Sequence, residues 1–548
     1  MTRQLERMVA CLLTGIAVFL HLFYAFHAGG LWRDEANTVA LATMPTLSGV
    51  WTHLQFDSFP ILWLLVVRAF SASGLTADLA YRLLGCFVGL SIIAALWINA
   101  RLLKFCVPLI SLALLGLSPT IIWWGDSMRA YGFGICLILL TFGLIWRVVT
   151  APRIGTVVMA AIAALCSVQT LYYNAVLLFA MGMAGAVVAL RNRHWERALV
   201  VLGIGGLAAL SLVPYAATIR GASEWSVIFN LPNFDFALFW SKLSEALASA
   251  GAGIRWVWIG LACLAVVTGV IIQVRSGRAE EGGHAQASCY CLLSLSISVP
   301  AYFVFLKVLR YPTQPWYYMT LMGLVAMSID GCLSTRSARW YLGSGRWILA
   351  LCVAFWSLVP AWKSVSVRRT SVDIAARRLN ESVVAGDTIV VSPWWLGPCF
   401  DRYYHGAAAW NTVPPISSHA LHRYDLVKDA MTVSSPIDPL LRTISDTLKG
   451  GHRVWIVGAL PLQDTGQPPP GLAPAPYDPV GWSEAAYTME WATEVGYFIQ
   501  AHASKGESLN PLTKQPVNSF EDISLLVLEG WQVPEEQRSA PSVWPSPE

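Results

Sequence analysis

The sequence is dominated by a series of apolar segments, each close to the length of a membrane-spanning helix. A helix needs about 20 mostly apolar residues to cross a bilayer, because the hydrocarbon core is about 30 Å thick and contains no water for the peptide groups. We therefore predict a polytopic α-helical membrane protein with about 11 transmembrane helices. The predicted spans are residues 8–28, 79–99, 105–122, 130–149, 154–171, 175–190, 198–218, 256–274, 288–309, 316–332 and 347–362.

The composition agrees with this architecture. Only 13% of the 548 residues are charged and 55% are hydrophobic, whereas soluble domains carry about 25% charged residues. A net charge of +4 is small for a chain of this length. It lacks the strong basic excess that is typical of nucleic-acid-binding proteins, so we expect no nucleic acid partner.

The basic connections between the spans predict the orientation of the chain. With the N-terminus in the cytoplasm, the basic loops 101–104, 147–153, 191–197, 275–278 and 336–346 all face the cytoplasm, as the positive-inside rule requires. This assignment holds only if the apolar segment 59–72 lies along the interface, since one more crossing would invert every later loop. The loops that contain Asp34, Asp126, Tyr172 and Arg310 are then predicted to lie on the outer side.

The composition changes after residue 362. We predict a soluble extracytoplasmic α/β domain over residues 363–532, with helices at 371–384 and 483–503 and buried strands at 387–392, 452–458 and 523–528. The polar, proline-rich tail of residues 533–548 is predicted to be disordered. The predicted division is therefore a membrane domain at residues 1–362, the α/β domain and the tail.

The most informative polar stretch is LWRDEANTV, residues 31–39, directly behind the first span. It places Asp34 and Glu35 at a membrane–water boundary beside Arg33. Ionisable groups near bilayer depth are costly and tend to be present for chemistry. A carboxylate whose pKa is tuned by burial and by an arginine can take a proton from a hydroxyl, so Asp34 is a candidate general base. The alternative is a solvated loop that has no catalytic function.

Two further predicted outer loops carry acids. Asp57 precedes an apolar helix, where it could cap that helix or contact a substrate. In WWGDSMRAY, residues 123–131, Asp126 and Arg129 precede Tyr131 at the start of a span. Arg129 could hold a phosphate through forked hydrogen bonds, or it could form a structural ion pair.

Aromatic and basic residues mark two more outer boundaries. Tyr172 and Tyr173 end the fifth span, where an aromatic belt explains them as well as substrate binding does. Lys307, Arg310 and Tyr311 follow a later span, where a cation could neutralise a lipid phosphate or, for Lys307, reach the interface by snorkelling. No paired-histidine motif is present, so histidine ligands for a metal are not expected. The carboxylates leave room for a divalent metal but do not require one.

Together these motifs resemble the GT-C class of integral-membrane glycosyltransferases. The closer likeness is to the glycosyltransferase family 39 type, which includes protein O-mannosyltransferases, lipid A aminoarabinose transferases and RgtA/B/C/D-like bacterial enzymes. The likeness covers residues 1–362. The matching residues are Asp34 and Glu35 after the first span, Asp57 and Pro60 before an apolar helix, Tyr81-Arg82-Leu83, Asp126 with Arg129 and Tyr131, and Arg310-Tyr311.

The resemblance implies transfer of a sugar, with inversion, from a polyprenyl-phosphate donor in the membrane lipids to a hydroxyl of a glycan, lipid or protein acceptor. It implies that Asp34 is the catalytic base and that Arg310 lies near the donor phosphate. The predicted catalytic residues are Asp34, Glu35 and Asp126, and the predicted substrate-binding residues are Arg33, Asp57, Arg129, Tyr131, Tyr172, Tyr173, Lys307, Arg310 and Tyr311.

Two other functions remain open at this point. A polytopic lipid or glycan transporter or flippase would also have many spans, but it predicts ionisable groups at the bilayer midplane and internal repeats. A non-catalytic scaffold would only present the C-terminal domain. The notable charges cluster at one predicted membrane face and the sequence shows no internal repeat, which favours the transferase.

The predicted topology can be checked with a reporter that is active only outside the cytoplasm. Inserted between residues 43 and 48, the reporter is expected to be active, because the positive-inside rule places residues 33–58 outside. Inserted between residues 150 and 153, it is expected to be inactive. Activity at the second position and none at the first would contradict the orientation.

Overall fold

The structure is a computed structural model, and it describes residues 2–57, 59–229, 234–276, 283–309, 313–334, 340–461, 469–477 and 481–533. The predicted site residues Arg310 and Tyr311 lie outside the described residues. So does the part of the predicted disordered tail that begins at residue 534.

The chain divides into two compact units. The first, the helical unit, comprises Met1–Gly29, Ser58–Thr218 and Pro232–Val367, and the second, the α/β unit, comprises Gly30–Asp57, Ile219–Leu231 and Arg368–Glu548. The segments Gly30–Asp57 and Ile219–Leu231 thus belong to the same compact unit as the C-terminal residues. The domain bounds deduced from the sequence, at residues 362 and 532, stay a prediction.

Eight of the described helices are long and apolar enough to cross a membrane. They are Arg3–His27, Asp78–Leu102, Tyr131–Thr150, Asn174–Arg191, Trp195–Glu224, Ile254–Arg275, Gly283–Leu309 and Gly345–Val365. Shorter helices of the helical unit are Ile61–Ala72, Ile154–Val168, Phe236–Leu247 and Met319–Leu333. The predicted combination of a helical membrane part with a C-terminal α/β part is confirmed.

The predicted number of about 11 transmembrane helices is not confirmed, because three predicted spans are short or broken. The segment 105–122 forms three pieces: Leu109–Ser111, a π-helical turn at Leu112–Gly116, and Pro119–Gly125. Pro119 ends the preceding helix and begins the next one, since proline cannot donate a hydrogen bond and suits a first helical turn. The other two, Ile154–Val168 and Met319–Leu333, have 15 residues each, which reach only about 22 Å.

The α/β unit contains a mixed five-stranded sheet. Its strands are β1 (Thr388–Ser392), β2 (Ala409–Thr412), β3 (Val454–Gly458), β4 (Ala503–Ser508) and β5 (Leu525–Trp531). The strand order is β2-β1-β3-β5-β4, with β1 parallel to both β2 and β3, and β5 antiparallel to both β3 and β4. The sequence predicted β1, β3 and β5. It missed the edge strands β2 and β4. The side chains of β4 are mostly exposed and only one of the four residues of β2 is buried, so neither strand carries a buried-strand pattern.

Both faces of the sheet are covered. Alternate residues of β1 point to opposite faces, so Ile389 and Val391 pack with Leu379 and Phe400, whereas Val390 packs with Ile444. The helices of this unit are Arg33–Ala42, Leu47–Thr52, Val372–Ser382, Gly397–Tyr403, Tyr424–Met431, Asp438–Lys449 and Glu484–His502.

The helix Arg33–Ala42, which carries the acidic pair, is built into the α/β unit. Ala36 on this helix belongs to the same buried cluster as Phe400 and β1. The chain just before the helix is tied down as well, because the Leu31 amide donates a 2.6 Å hydrogen bond to the Tyr403 hydroxyl. A Cβ at Gly30 would lie 3.0 Å from that same hydroxyl, which explains a glycine at this position.

Candidate active site

The acidic pair lies in the first turn of the helix Arg33–Ala42. Trp32 is the N-cap residue, and its amide donates a 3.1 Å hydrogen bond to Glu35 Oε2. This bond satisfies one of the amides that a helix N-terminus leaves unpaired, and the negative charge is favourable at that end of the helix dipole. The local sequence therefore fixes the helix start and directs Asp34 and Glu35 to different environments.

Glu35 forms a fully buried ion pair. Its Oε1 lies 3.8 Å from the Arg369 guanidinium, and neither side chain has any exposed surface. The Arg369 guanidinium also stacks 5.0 Å from the Trp32 ring centroid. Removing one partner would leave the other charge buried and uncompensated, which is strongly destabilising.

Glu521 is a second buried carboxylate at the same helix N-terminus. Its Oε1 accepts a 3.1 Å hydrogen bond from the Arg33 amide and lies 3.9 Å from Arg33 Nε. The pKa of Glu521 is raised to about 7, mainly by burial and to a smaller extent by the nearby charge of Asp34, against the opposing effect of the Arg33 charge. Glu521 therefore exchanges a proton near neutral pH.

Asp34 is the carboxylate of this group that reaches solvent. A quarter of its side chain is exposed, whereas Glu35 and Glu521 are fully buried. Its Oδ1 lies 3.8 Å from Arg33 Nε and 3.9 Å from His422 Nδ1. We call Asp34, Glu35, Glu521, Arg33, Arg369 and His422 the acidic cluster.

His422 is held in place by its own backbone and ring contacts. Its amide donates a 2.8 Å hydrogen bond to Asn37 Oδ1, and its Nε2 lies 3.2 Å from the Trp395 carbonyl oxygen. Trp395 also contacts Arg33, whose guanidinium lies 5.6 Å from the indole centroid. Asn37, Trp395 and His422 thus position one wall of the acidic cluster.

Asp57 has a different environment. It is buried, and its Oδ2 accepts a 2.9 Å hydrogen bond from the Thr38 hydroxyl. The Asn37 side-chain amide donates a second hydrogen bond, of 3.2 Å, to the Phe56 carbonyl, which joins the same two parts of the chain. Asp57 therefore fastens the end of the segment Gly30–Asp57 to the helix that carries Asp34. The apolar helix Ile61–Ala72 begins after Pro60 without a side-chain cap.

In the helical unit, residues of the motif 123–131 and Tyr173 come together with other rings in an aromatic cluster. The rings of Phe59 and Tyr131 meet edge to face at 5.2 Å, and Tyr317 lies 6.1 Å from both Tyr131 and Tyr173. The Arg129 guanidinium lies 4.4 Å from the Phe59 ring centroid. The cluster consists of Phe59, Trp124, Arg129, Tyr131, Tyr173, Tyr302, Trp316 and Tyr317.

These residues lie near the ends of helices that were predicted to meet on one side of the membrane. Tyr131 begins the helix Tyr131–Thr150 and Tyr173 directly precedes Asn174–Arg191. Arg129 is largely buried among these rings. A buried guanidinium among aromatic faces is held by cation–π attraction and suits forked binding of an oxyanion.

Asp126 is engaged in a buried hydrogen-bonding contact with His21. Its two carboxylate oxygens lie 2.7 and 2.8 Å from His21 Nδ1, and both side chains are buried. A Cβ at Gly89 would collide with the Asp126 carboxylate and lie 2.7 Å from His21 Nδ1, so only glycine leaves room for the pair. Asp126 thus locks the loop before Tyr131 to the first helix.

Two predicted substrate-binding residues, Tyr172 and Lys307, contact rings outside the aromatic cluster. Tyr172 packs edge to face against Tyr215, with the ring centroids 5.6 Å apart. Lys307 is exposed, and its amino group lies 6.0 Å from the Phe303 ring centroid.

Sequence reasoning did not single out Arg369, His422, Trp395 or Glu521. Their positions could have been suspected from two signals. Trp395 follows the carboxyl end of β1, and loops at the carboxyl ends of parallel strands are frequent sites in α/β sheets. Arg369 and Glu521 are charged residues that stand next to segments with the apolar pattern of buried elements. Charged side chains in such places are usually buried only when they are paired with an opposite charge.

The described residues contain no group of three histidine, cysteine or acidic side chains arranged to hold a metal ion. In the acidic cluster, Glu35 and Glu521 are already engaged with backbone amides and arginines. We therefore assign no metal ligand to the described part of the chain.

No protein-family model and no curated protein matches the chain. The solved structures to which it is similar include three membrane enzymes. The match to the arabinosyltransferase EmbB from Mycobacterium smegmatis has a TM-score of 0.36 and 13% identity, and it covers 64% of this chain and 40% of EmbB. The match to ArnT from Cupriavidus metallidurans bound to undecaprenyl phosphate has a TM-score of 0.45 and 14% identity, and covers 82% of this chain and 92% of ArnT.

The third similar structure is the apo form of the oligosaccharyltransferase from Archaeoglobus fulgidus. Its TM-score is 0.48 at 9% identity, and the match covers 83% of this chain and 69% of the oligosaccharyltransferase. All three are GT-C glycosyltransferases, the class that the sequence motifs resemble. Because the three identities are at most 14% and the three TM-scores are below 0.5, the function proposed below rests on the residues of this chain.

The raised pKa of Glu521 predicts a specific pH dependence of stability. Between its ordinary value of 4.5 and about 7, the folded protein retains a proton that the unfolded chain has lost. The contribution of Glu521 to the free energy of unfolding therefore falls as the pH rises through this window and is constant above it. Glu521→Gln removes this dependence, because an amide does not titrate.

The measurement compares melting temperatures of the purified wild type and Glu521→Gln at about pH 5 and about pH 8. The melting temperature of the wild type is expected to fall relative to that of the variant as the pH is raised. A difference that is the same at both pH values would contradict the assigned protonation of Glu521.

Proposed function

We propose that this protein is an integral-membrane glycosyltransferase that moves a sugar from a polyprenyl-phosphate donor to an acceptor hydroxyl, with inversion. Asp34 acts as the general base. The observation that carries the proposal is the difference in exposure among the three carboxylates of the acidic cluster. Asp34 has exposed side-chain surface, whereas Glu35 and Glu521 are fully buried. The order of the motifs that resemble GT-C enzymes gives the reaction class.

The environment of Asp34 suits a base. Glu35 and Glu521 accept hydrogen bonds from the amides of Trp32 and Arg33, so the backbone of the first helical turn is rigidly held. Asp34 itself projects from this turn beside Arg33 and His422. We therefore assign Glu35 a positioning function, through its bonds to Trp32 and Arg369, instead of proton transfer.

In the proposed reaction, the Asp34 carboxylate accepts the proton of the acceptor hydroxyl. The electron pair of that oxygen forms a bond to the anomeric carbon of the donor sugar. The bond between the anomeric carbon and the phosphate oxygen breaks, and polyprenyl phosphate leaves with its electron pair. Attack and departure on opposite faces of the carbon produce inversion, and Asp34 then releases its proton to water.

Negative charge accumulates on the leaving phosphate, and a cation that is already in place stabilises it. In the helical unit, Arg129 is our candidate for binding the donor phosphate, because its guanidinium is fixed against Phe59 within the aromatic cluster. Tyr131 and Tyr173 belong to the same cluster and would contact the donor. Asp126 would contribute by locking the preceding loop to His21.

Three parts of the proposal come from the sequence. The N-terminus is cytoplasmic, the C-terminal domain is extracytoplasmic, and the acceptor is a glycan, lipid or protein. Arg310 and Tyr311 are retained as donor-binding candidates on the family resemblance alone. None of the described contacts favours the transporter alternative, so we do not propose it.

Asp34→Asn tests the proposed base, because it preserves shape and removes the proton acceptor. Membranes that contain the wild type or the variant receive polyprenyl-phosphate sugars labelled in the polyprenyl chain, so that the released polyprenyl phosphate carries the label. Release of polyprenyl phosphate is expected to fall at least about 100-fold in the variant, the usual effect of losing a general base.

Asp425→Asn is the matched control. Asp425 lies in the same α/β unit, and its carboxylate is more exposed than that of Asp34 and paired with Arg423 at 2.7 Å. It is expected to leave release unchanged. Equal release by the wild type and Asp34→Asn would refute the assigned base, and no release by the wild type from any donor would refute the transferase.

Arg129→Lys tests phosphate binding. Lysine retains the positive charge but loses the planar fork that can hold two phosphate oxygens. The KM for the donor is expected to rise about tenfold, the equivalent of one charged hydrogen bond. Arg147→Lys, near the other end of the helix Tyr131–Thr150, is the control and should leave this KM unchanged. An unchanged KM in Arg129→Lys would remove Arg129 from the donor site.

A further inference from the structure

A basic pocket of about 480 Å³ opens in the helical unit, away from every residue that the proposed function uses. It lies where the helices Tyr131–Thr150 and Asn174–Arg191 end and where Trp195–Leu210 begins. No carboxylate is among its described lining residues. The polar residues that line it are Thr150, Arg191, Asn192, Arg193, His194, Arg197 and Gln286.

Two of the three arginines have structural contacts that fix the pocket walls. Arg197 donates hydrogen bonds of 2.8 and 3.2 Å to the carbonyl oxygens of Val149 and Thr150. These bonds cap the C-terminus of the helix Tyr131–Thr150. Arg191 donates a 2.9 Å bond to Gln273. The walls of the pocket are therefore held by contacts between helices.

Arg193 occupies a backbone position that glycine would adopt more easily. Its φ angle is +60°, in the left-handed region. The Arg193 amide bonds to the Leu190 carbonyl at 2.9 Å and the His194 amide to the Ala189 carbonyl at 2.8 Å. This is the helix-ending arrangement in which glycine is the preferred residue. The chain therefore has an arginine among the lining residues of the pocket at a position where the backbone favours glycine.

The surroundings of the pocket are apolar and exposed. Leu190 and Trp195, the chain neighbours of lining residues, are 55% and 60% exposed, and Leu199 is 58% exposed on the same helix as Trp195. Large exposed apolar side chains on candidate membrane helices face acyl chains, and tryptophan favours the headgroup level. A ligand that combines a negative headgroup with acyl chains would match both surfaces.

We propose that this pocket binds the phosphate of an anionic membrane phospholipid, with Arg193 as the contacting cation. The pocket lies at the helix ends that the basic loops assign to the cytoplasmic side, where the leaflet is rich in anionic lipids. A guanidinium binds two phosphate oxygens at once, and the exposed apolar side chains receive the acyl chains. Because this site is independent of Asp34 and Arg129, it does not depend on the proposed function.

Arg193→Gly tests the site without endangering the fold, because glycine suits the backbone better than arginine does. Lys104→Gly is the matched control. Lys104 also has a φ angle of +60° at the end of a candidate membrane helix, but it does not line the pocket. Each variant loses one positive charge in the same backbone conformation.

Native mass spectrometry of the purified full-length chain, titrated with phosphatidylglycerol or phosphatidylcholine, gives the readout. We expect the apparent affinity of the wild type for phosphatidylglycerol to fall about tenfold in Arg193→Gly and to be unchanged in Lys104→Gly. Affinity for phosphatidylcholine should not depend on Arg193. Equal losses in both variants, or no loss in either, would overturn the site.

A competition experiment distinguishes a lipid headgroup from a free phosphate. Millimolar inorganic phosphate is expected to leave most of the bound phosphatidylglycerol in place, since it gains nothing from the apolar surface. Complete displacement by inorganic phosphate would overturn the lipid assignment, because the site would then bind a free anion.

Discussion

The buried ion pair between Glu35 and Arg369 joins two distant segments of the α/β unit. Both charges are removed from water, so each needs the other, and separating them would cost several kcal/mol. Glu35 also accepts the hydrogen bond of the Trp32 amide, at the N-cap of its helix. The start of the helix Arg33–Ala42 and the start of the C-terminal part of the chain are consequently fixed to each other, although more than 300 residues of sequence lie between them.

This constraint explains how one cluster can hold three carboxylates with different properties. Glu35 is neutralised by an arginine, Glu521 lies where burial raises its pKa to about 7, and Asp34 remains partly exposed. Environments that separate the properties of neighbouring acids are typical of sites that move protons. The carboxylates also have a structural role, because Glu35 and Glu521 accept hydrogen bonds from amides at the helix N-terminus.

Much of the fold was predictable from hydrophobic pattern. Eight long apolar helices and the buried strands β1, β3 and β5 were found in the sequence because their burial produces an unbroken or periodic apolar pattern. The broken segment around Pro119 was missed, since span length was counted without regard to the proline. The edge strand β4 was missed because its exposed residues have the composition of a loop.

The sequence by itself determined that the chain has a helical membrane part and a C-terminal α/β part, and it located Asp34, Arg129 and the aromatic residues at helix ends. Length and periodicity are local properties, so they suffice for this. Only the tertiary structure decided which acid is exposed and which residues surround it, since Arg369, His422 and Glu521 are distant from Asp34 in sequence. Burial and ion pairing depend on contacts between distant segments, and no local pattern encodes them.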